Sequence, residues 1–221
     1  MSFFVTGTDT NVGKTLIATV LLHQLASTGL RVVGMKPVAA GVEADGCWAD
    51  VTALQSAGNV DAPLDLVNPY RFNPPIAPHL AAQQVGVTMS AALIALAYQQ
   101  LSALADVVVV EGAGGWLVPL NETETLADLA LALNVPIILV VGMRLGCINH
   151  ALLTVAAIRS CGLHLAGWVA NCIDADMPQF NENLQCLTQR IPAPLLGSVP
   201  FLASIDLCQL AKHIQLDKLR L

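Results

Sequence analysis

Gly7-Thr-Asp-Thr-Asn-Val-Gly13-Lys14-Thr15 places two glycines, a lysine and a hydroxyl residue at the spacing of a loop that holds phosphate. Each type has a task. Glycine lets the backbone curl so that its N–H groups point inward, the start of the following helix attracts anions, Lys14 reaches terminal phosphates and Thr15 can ligate Mg²⁺. Five residues rather than four separate Gly7 from Gly13, so the common G-x-x-x-x-G-K-[ST] pattern is matched only from Gly13 onward. The competing reading is an ordinary strand-to-helix turn; the apolar run before the loop and the helical pattern after it favour phosphate.

Two further groups belong at the same edge. Val107-Val-Val-Val-Glu111 runs four valines into a carboxylate followed by Gly112-Ala-Gly-Gly115, as in a Walker B site, where the acid holds Mg²⁺ or its water and glycine admits a phosphate or substrate. A polar strand end with a flexible turn is the plain alternative. The run ending at Lys36-Pro37 projects a long cation beside the phosphate loop, where open α/β sheets bind ligands, and makes Lys36 the candidate catalytic cation. Asp50 tells less by itself, because Asp is common in the first turn of a helix.

Asn171-Cys-Ile-Asp174 has the Asn and Asp spacing of a guanine-reading N-K-x-D element but lacks its lysine. The Asn171 amide can still pair with a purine edge, adenine included, while a turn-forming Asn and Asp is the competing reading. Gly146-Cys-Ile-Asn-His-Ala151 opens another helix, whose N-terminus is available to an anion. His150 invites a general-base role, but a lone histidine in a first helical turn more often packs or bonds structurally.

These residues need a scaffold, and the pattern of apolar runs supplies one. Strands are predicted at 3–6, 31–36, 107–111, 136–141, 166–170 and 195–199, and helices at 14–27, 49–57, 90–103, 125–133, 148–160 and 179–190. Short apolar runs alternating with helical periodicity imply an α/β fold, a mostly parallel doubly wound sheet with helices on both faces, formed by one domain over 1–221. The segment 68–78, with four prolines, reads as a surface loop, a lid or a dimer contact.

Composition agrees. Apolar residues make up 55% and charged residues 12% of the chain, as suits strands buried on both faces. The purest apolar runs fall far short of the ~18–20 residues of a membrane span, and the start shows no signal-peptide pattern, so a cytoplasmic protein without membrane partners is expected. A net charge of −6 with scattered basic residues gives no footprint for nucleic acid. The six cysteines form no C-x-x-C pair, which speaks against a structural metal or disulfide framework.

Taken together, Gly13-Lys-Thr15, Lys36-Pro37, Glu111-Gly-Ala-Gly-Gly-Trp116, Gly146-Cys-Ile-Asn-His-Ala151 and Gly167-Trp-Val-Ala-Asn171 resemble the dethiobiotin synthetases, a P-loop NTPase family, over nearly the whole chain. That resemblance implies ring closure. 7,8-Diaminononanoate takes up CO₂ as a carbamate, ATP phosphorylates it, and the second amine displaces phosphate to give dethiobiotin, a biotin precursor.

The resemblance also implies roles. Thr15, Asp50 and Glu111 look like Mg²⁺ ligands, and Lys14 and Lys36 like the cations on phosphate and carbamate. The nucleotide would meet Thr10, Asn11, Val12, Gly13 and Leu16 on the loop, and Gly112, Ala113 and Gly114 after Glu111. Asn171, Cys172 and Pro200-Phe201-Leu202 would border its base. Ala40 would lie near the substrate amine, and Gly146, Cys147, Ile148 and Asn149 of a partner subunit would receive the substrate carboxylate in a homodimer. The chain departs from the family where an acidic residue is replaced by Asn11, a hydroxyl residue by Ala40, and an aromatic by Asn183. The alternative is a nucleotide-switched binding protein of the partition-ATPase or metallochaperone-GTPase kind. Against it, Asp9 stands where such loops place a signature lysine, and the guanine-reading element is incomplete. A simple kinase that releases a phosphorylated metabolite would use the same contacts without closing a ring.

Overall fold

The computed structural model describes residues 2–44, 46–201 and 206–219. Its strands are β1 (Ser2–Gly7), β2 (Val32–Met35), β3 (Val38–Ala40), β4 (Tyr70–Phe72), β5 (Val107–Glu111), β6 (Ile137–Met143), β7 (Leu165–Cys172) and β8 (Leu195–Val199). Six of them form one parallel sheet in the order β2-β5-β1-β6-β7-β8, so every strand expected from the sequence is present. The helices are α1 (Lys14–Ser27), α2 (Ala49–Ala57), α3 (Leu64–Val67), α4 (Pro78–Gln84), α5 (Ala91–Leu104), α6 (Leu126–Leu133), α7 (Cys147–Ser160), α8 (Phe180–Arg190) and α9 (Leu207–Ala211), with a final 3-10 turn at Leu216–Lys218.

Continuous apolar strands are explained by two cores. Side chains alternate across a strand, and Phe4, Val108 and Val110 pack with α5, α6, α7 and α8 on one face. Phe3, Val5, Val107 and Val109 pack with α1, α2 and α9 on the other. A strand covered on both faces has no polar side to show, which is why its sequence does not alternate. No helix among the described residues is long and apolar enough to cross a membrane.

The chain runs to one side of β1 for β2 and β5 and to the other for β6, β7 and β8. The carboxyl end of β1 therefore lies where the strand order reverses, the place at which open α/β sheets take ligands.

Two helix starts, expected at 90 and 125, fall one residue later for a physical reason. Ser90 is an N-cap whose side chain accepts from Leu93 N, and Thr125 forms a reciprocal capping box with Asp128. Such residues sit just outside the helix they begin. The segment 68–78 is a larger correction. It is not a plain loop: Tyr70–Phe72 pairs in parallel with Val38–Ala40, and Pro78 starts α4. Neither contradicts proline chemistry, since the three strand residues contain no proline and the first helical position needs no N–H.

Both edges of the six-stranded sheet are met by other segments of the chain. At β2 the Asn59 side chain accepts from Val32 N at 2.7 Å while Asn59 N donates to Val32 O at 3.1 Å. At β8 Gln215 N donates to Leu196 O at 2.8 Å, beside a bridge between Gly197 and Ile214.

Candidate active site

The loop after β1 carries the geometry that anions need. Gly13 takes φ +90° as the N-cap of α1, no side chain caps that helix, and its first turn holds no acid. The helix thus leaves its first N–H groups to a ligand. Asn11 takes φ +58°, a region asparagine tolerates better than most residues. Lys14 Nζ donates to the main-chain oxygen of Asp9 at 2.8 Å. Burial first, and the neighbouring Lys36 second, pull the Lys14 amine down to about 8.

Beside the loop, three elements bring oxygen and charge to one point. Thr15 Oγ1 lies 2.9 Å from Asp50 Oδ1 and 2.8 Å from Glu111 Oε1. Lys36 Nζ lies 2.6 Å from Asp50 Oδ2 and 2.6 Å from Glu111 Oε1. Burial depresses the Lys36 amine, but Glu111 and Asp50 more than offset this and hold it above its usual value, as a cation. Burial raises Asp50 as well, yet Lys36 and Thr15 bring its carboxyl below the usual range. Glu111 goes the other way, pushed up by burial with Lys36 opposing.

The donor set suits a hard divalent cation. A threonine hydroxyl has one proton and cannot donate to both carboxylates at once, and Glu111 Oε2 is buried without a hydrogen-bond partner among the described residues. Two carboxylates and a hydroxyl leave the remaining positions to water and phosphate oxygens, which is how Mg²⁺ is usually held. No group of three His, Cys, Asp or Glu side chains among the described residues is placed to bind a metal; the Thr15 hydroxyl is the third protein oxygen at this point.

These groups line a cleft of about 1120 Å³, room for a nucleotide together with a second small molecule. Of the expected nucleotide contacts, Thr10, Asn11, Gly13, Lys14, Thr15 and Leu16 line it. Lys36, Asp50, Glu111, Ala113 and Gly114 do so as well, and so does Ala40. Sequence reasoning did not assign Val38 or residues 75–78 to this wall, although it marked the proline-rich segment as a lid or a contact. Leu207 and Ala53, which also line it, had no signal in the sequence.

Other expected residues lie elsewhere. Val12 is buried, and its main-chain oxygen accepts from Asn171 Nδ2 at 2.9 Å. The Asn171 amide therefore holds the phosphate loop, and a Cβ at Gly13 would collide with it. Gly112 packs against Phe4, and the Cys172 thiol donates to Asp174 O at 3.2 Å. Pro200 and Phe201 follow β8 outside the cleft lining, and Leu202 lies outside the described residues. Gly146, Cys147, Ile148 and Asn149 begin α7 away from this wall. Gly146 repeats the Gly13 arrangement, with φ +93°, no side-chain cap and no acid in the first turn.

Comparison with known proteins carries the geometry further. Residues 1–207 match the family model described as an AAA domain. The ATP-dependent dethiobiotin synthetase BioD of Nitrosospira multiformis is 50% identical over 217 residues, covering 98% of this chain and 96% of its own. That of Cellvibrio japonicus is 51% identical over 221 residues, covering 99% and 97%. Among solved structures, the MinC:MinD cell division complex of Aquifex aeolicus superposes with a TM-score of 0.56 at 14% identity, covering 91% of this chain and 82% of that one. The signal recognition particle receptor FtsY of Elizabethkingia anophelis gives 0.52 at 17% identity over 95% of this chain, which spans 60% of that one. Those two share the P-loop fold; it is end-to-end identity at half the positions that makes the chain a member of the dethiobiotin synthetase family.

Proposed function

We propose that the protein is an ATP- and Mg²⁺-dependent cyclo-ligase that closes the ureido ring of dethiobiotin from 7,8-diaminononanoate and CO₂, a step of biotin biosynthesis. The observation that carries this reading is the convergence of Lys14, Lys36, Thr15, Asp50 and Glu111 on one cleft in a chain half identical to dethiobiotin synthetases. The whole chain, 1–221, is read as one P-loop domain.

The chemistry follows from the placement of charge. One amine of the substrate adds to CO₂ and loses a proton, giving a carbamate. A carbamate oxygen then takes the terminal phosphoryl group of ATP, and the second amine attacks the carbonyl carbon, closing the ring as inorganic phosphate leaves. Bringing a carbamate to a triphosphate concentrates negative charge, so catalysis depends on positioning and on preorganised cations. Lys14 and the bare start of α1 receive phosphate oxygens. Lys36, kept cationic by its neighbours, receives the carbamate. Thr15, Asp50 and Glu111 would hold Mg²⁺, which when bound neutralises phosphate charge.

Asn171 has an amide with two donors and an acceptor; one donor holds Val12, and adenine is assigned to its remaining polar atoms, behind the loop rather than in the cleft lining. Val38, Ala40 and residues 75–78 give the diamine an apolar wall. The substrate carboxylate is assigned to the start of α7 of a second subunit in a homodimer, an assignment supported by the uncapped Gly146 turn.

The test is phosphate release from Mg-ATP with diaminononanoate and bicarbonate together and with each omitted, while dethiobiotin is followed by mass. Release that needs both, matched by dethiobiotin, supports the ligase. ATP turnover indifferent to both would favour a nucleotide switch instead.

A further inference from the structure

We propose that Arg144 is a positioning residue for the phosphate loop, acting through Asp9. Arg144 stands just past β6, and its Nη2 lies 2.6 Å from Asp9 Oδ2, from a position 135 residues away in the chain. The other carboxylate oxygen, Asp9 Oδ1, accepts from Thr10 N at 2.7 Å. The main-chain oxygen of the same residue accepts from Lys14 Nζ. Asp9 thus links the guanidinium to two residues that face the cleft, Thr10 and Lys14.

Charge gives this link a purpose. An aspartate inside a loop that must take polyphosphate would repel its ligand, and a guanidinium bound to that carboxylate removes much of the repulsion. The loop is also docked mechanically on β6, since Thr8 N donates to Val140 O at 3.0 Å and Gly142 N reaches Thr8 Oγ1 at 3.4 Å. Asn171 anchors the later half of the loop through Val12. Arg144 completes the anchoring of the earlier half and neutralises its only acid. Both partners are about half exposed, at 44% and 47%, so the effect is that of a screened pair.

The inference rests on the nucleotide reading above and is tested by Mg-ADP titration, which needs no ring closure. Arg144→Gln weakens Mg-ADP binding on the order of two- to five-fold, the range of an exposed ion pair. It raises KM for ATP to match while kcat stays within about two-fold, and Arg144→Lys restores most of the affinity. Because the guanidinium acts by neutralising Asp9, Arg144→Gln has no further effect in an Asp9→Asn background. Unchanged ADP affinity in Arg144→Gln, or the same loss with and without Asp9, overturns the proposal. Dethiobiotin formation by the wild-type protein is measured separately, so a failed ligase reading and a failed Arg144 role leave different records.

Discussion

Lys36 and Glu111 form an ion pair 2.6 Å long in which the two side chains are 5% and 1% exposed. Removing one member of such a pair leaves a charge stranded in the interior. Lys36→Met is therefore expected to destabilise the protein by about 3–5 kcal/mol, and to lower turnover roughly 10²–10³-fold, the scale of one preorganised donor, while ATP binding is retained. Urea unfolding beside dethiobiotin assays checks both. Adding Glu111→Gln should recover stability but not activity; wild-type stability in the single variant would mean that the pair does not form.

Thr15→Val keeps the shape of the side chain and removes the oxygen lying between Asp50 and Glu111. The Mg²⁺ concentration for half-maximal activity should rise at least about ten-fold, as for other losses around a bound metal. A titration with Mg²⁺ at saturating ATP gives the answer, and an unmoved midpoint would exclude Thr15 as a ligand.

Lys14, lowered to about 8, sets a pH limit. Above that value the amine loses its proton and its attraction for phosphate, so kcat/KM for ATP should fall as pH rises through about 8. Stability should move oppositely: between about 8 and the ordinary 10.5 the folded protein binds fewer protons than the unfolded chain, and stability increases with pH. Lys14→Arg should abolish the fall in kcat/KM across this range, or else another group is responsible.

Asn171→Ala separates holding the loop from reading the base. If the bond to Val12 O dominates, ADP and inorganic pyrophosphate should both bind more weakly, by roughly the 1–3 kcal/mol of a buried acceptor left unpaired. A loss confined to ADP would return Asn171 to base recognition alone.

Leu153, on the exposed side of α7, is 61% exposed, and Leu145 just before the helix is 88% exposed. In the homodimer proposed above, Leu153→Glu should shift light scattering toward the monomer mass and raise KM for the diamine more than KM for ATP. A variant that stays dimeric with both constants unchanged would move the interface elsewhere.

The strands and long helices were legible because a parallel sheet buried on both faces writes itself as unbroken runs such as residues 107–110. Lys36 and Glu111 were legible because they end such runs, and Lys14 because it follows Gly13 at the spacing of a phosphate loop. β4 was not, since three residues between prolines carry no periodicity and pair only because β3 lies alongside. The bond from Asn171 to Val12 and the Asp9–Arg144 pair join residues 159 and 135 positions apart. No local pattern encodes an approach of that kind.

Asn59 has a consequence beyond its own two bonds to Val32. Its amide occupies hydrogen-bonding positions that a foreign strand would use, and the chain around Gln215 blunts the opposite border. With both borders of the six-stranded sheet occupied in this way, edge-to-edge extension of that sheet, the usual route to fibrous aggregation, is obstructed.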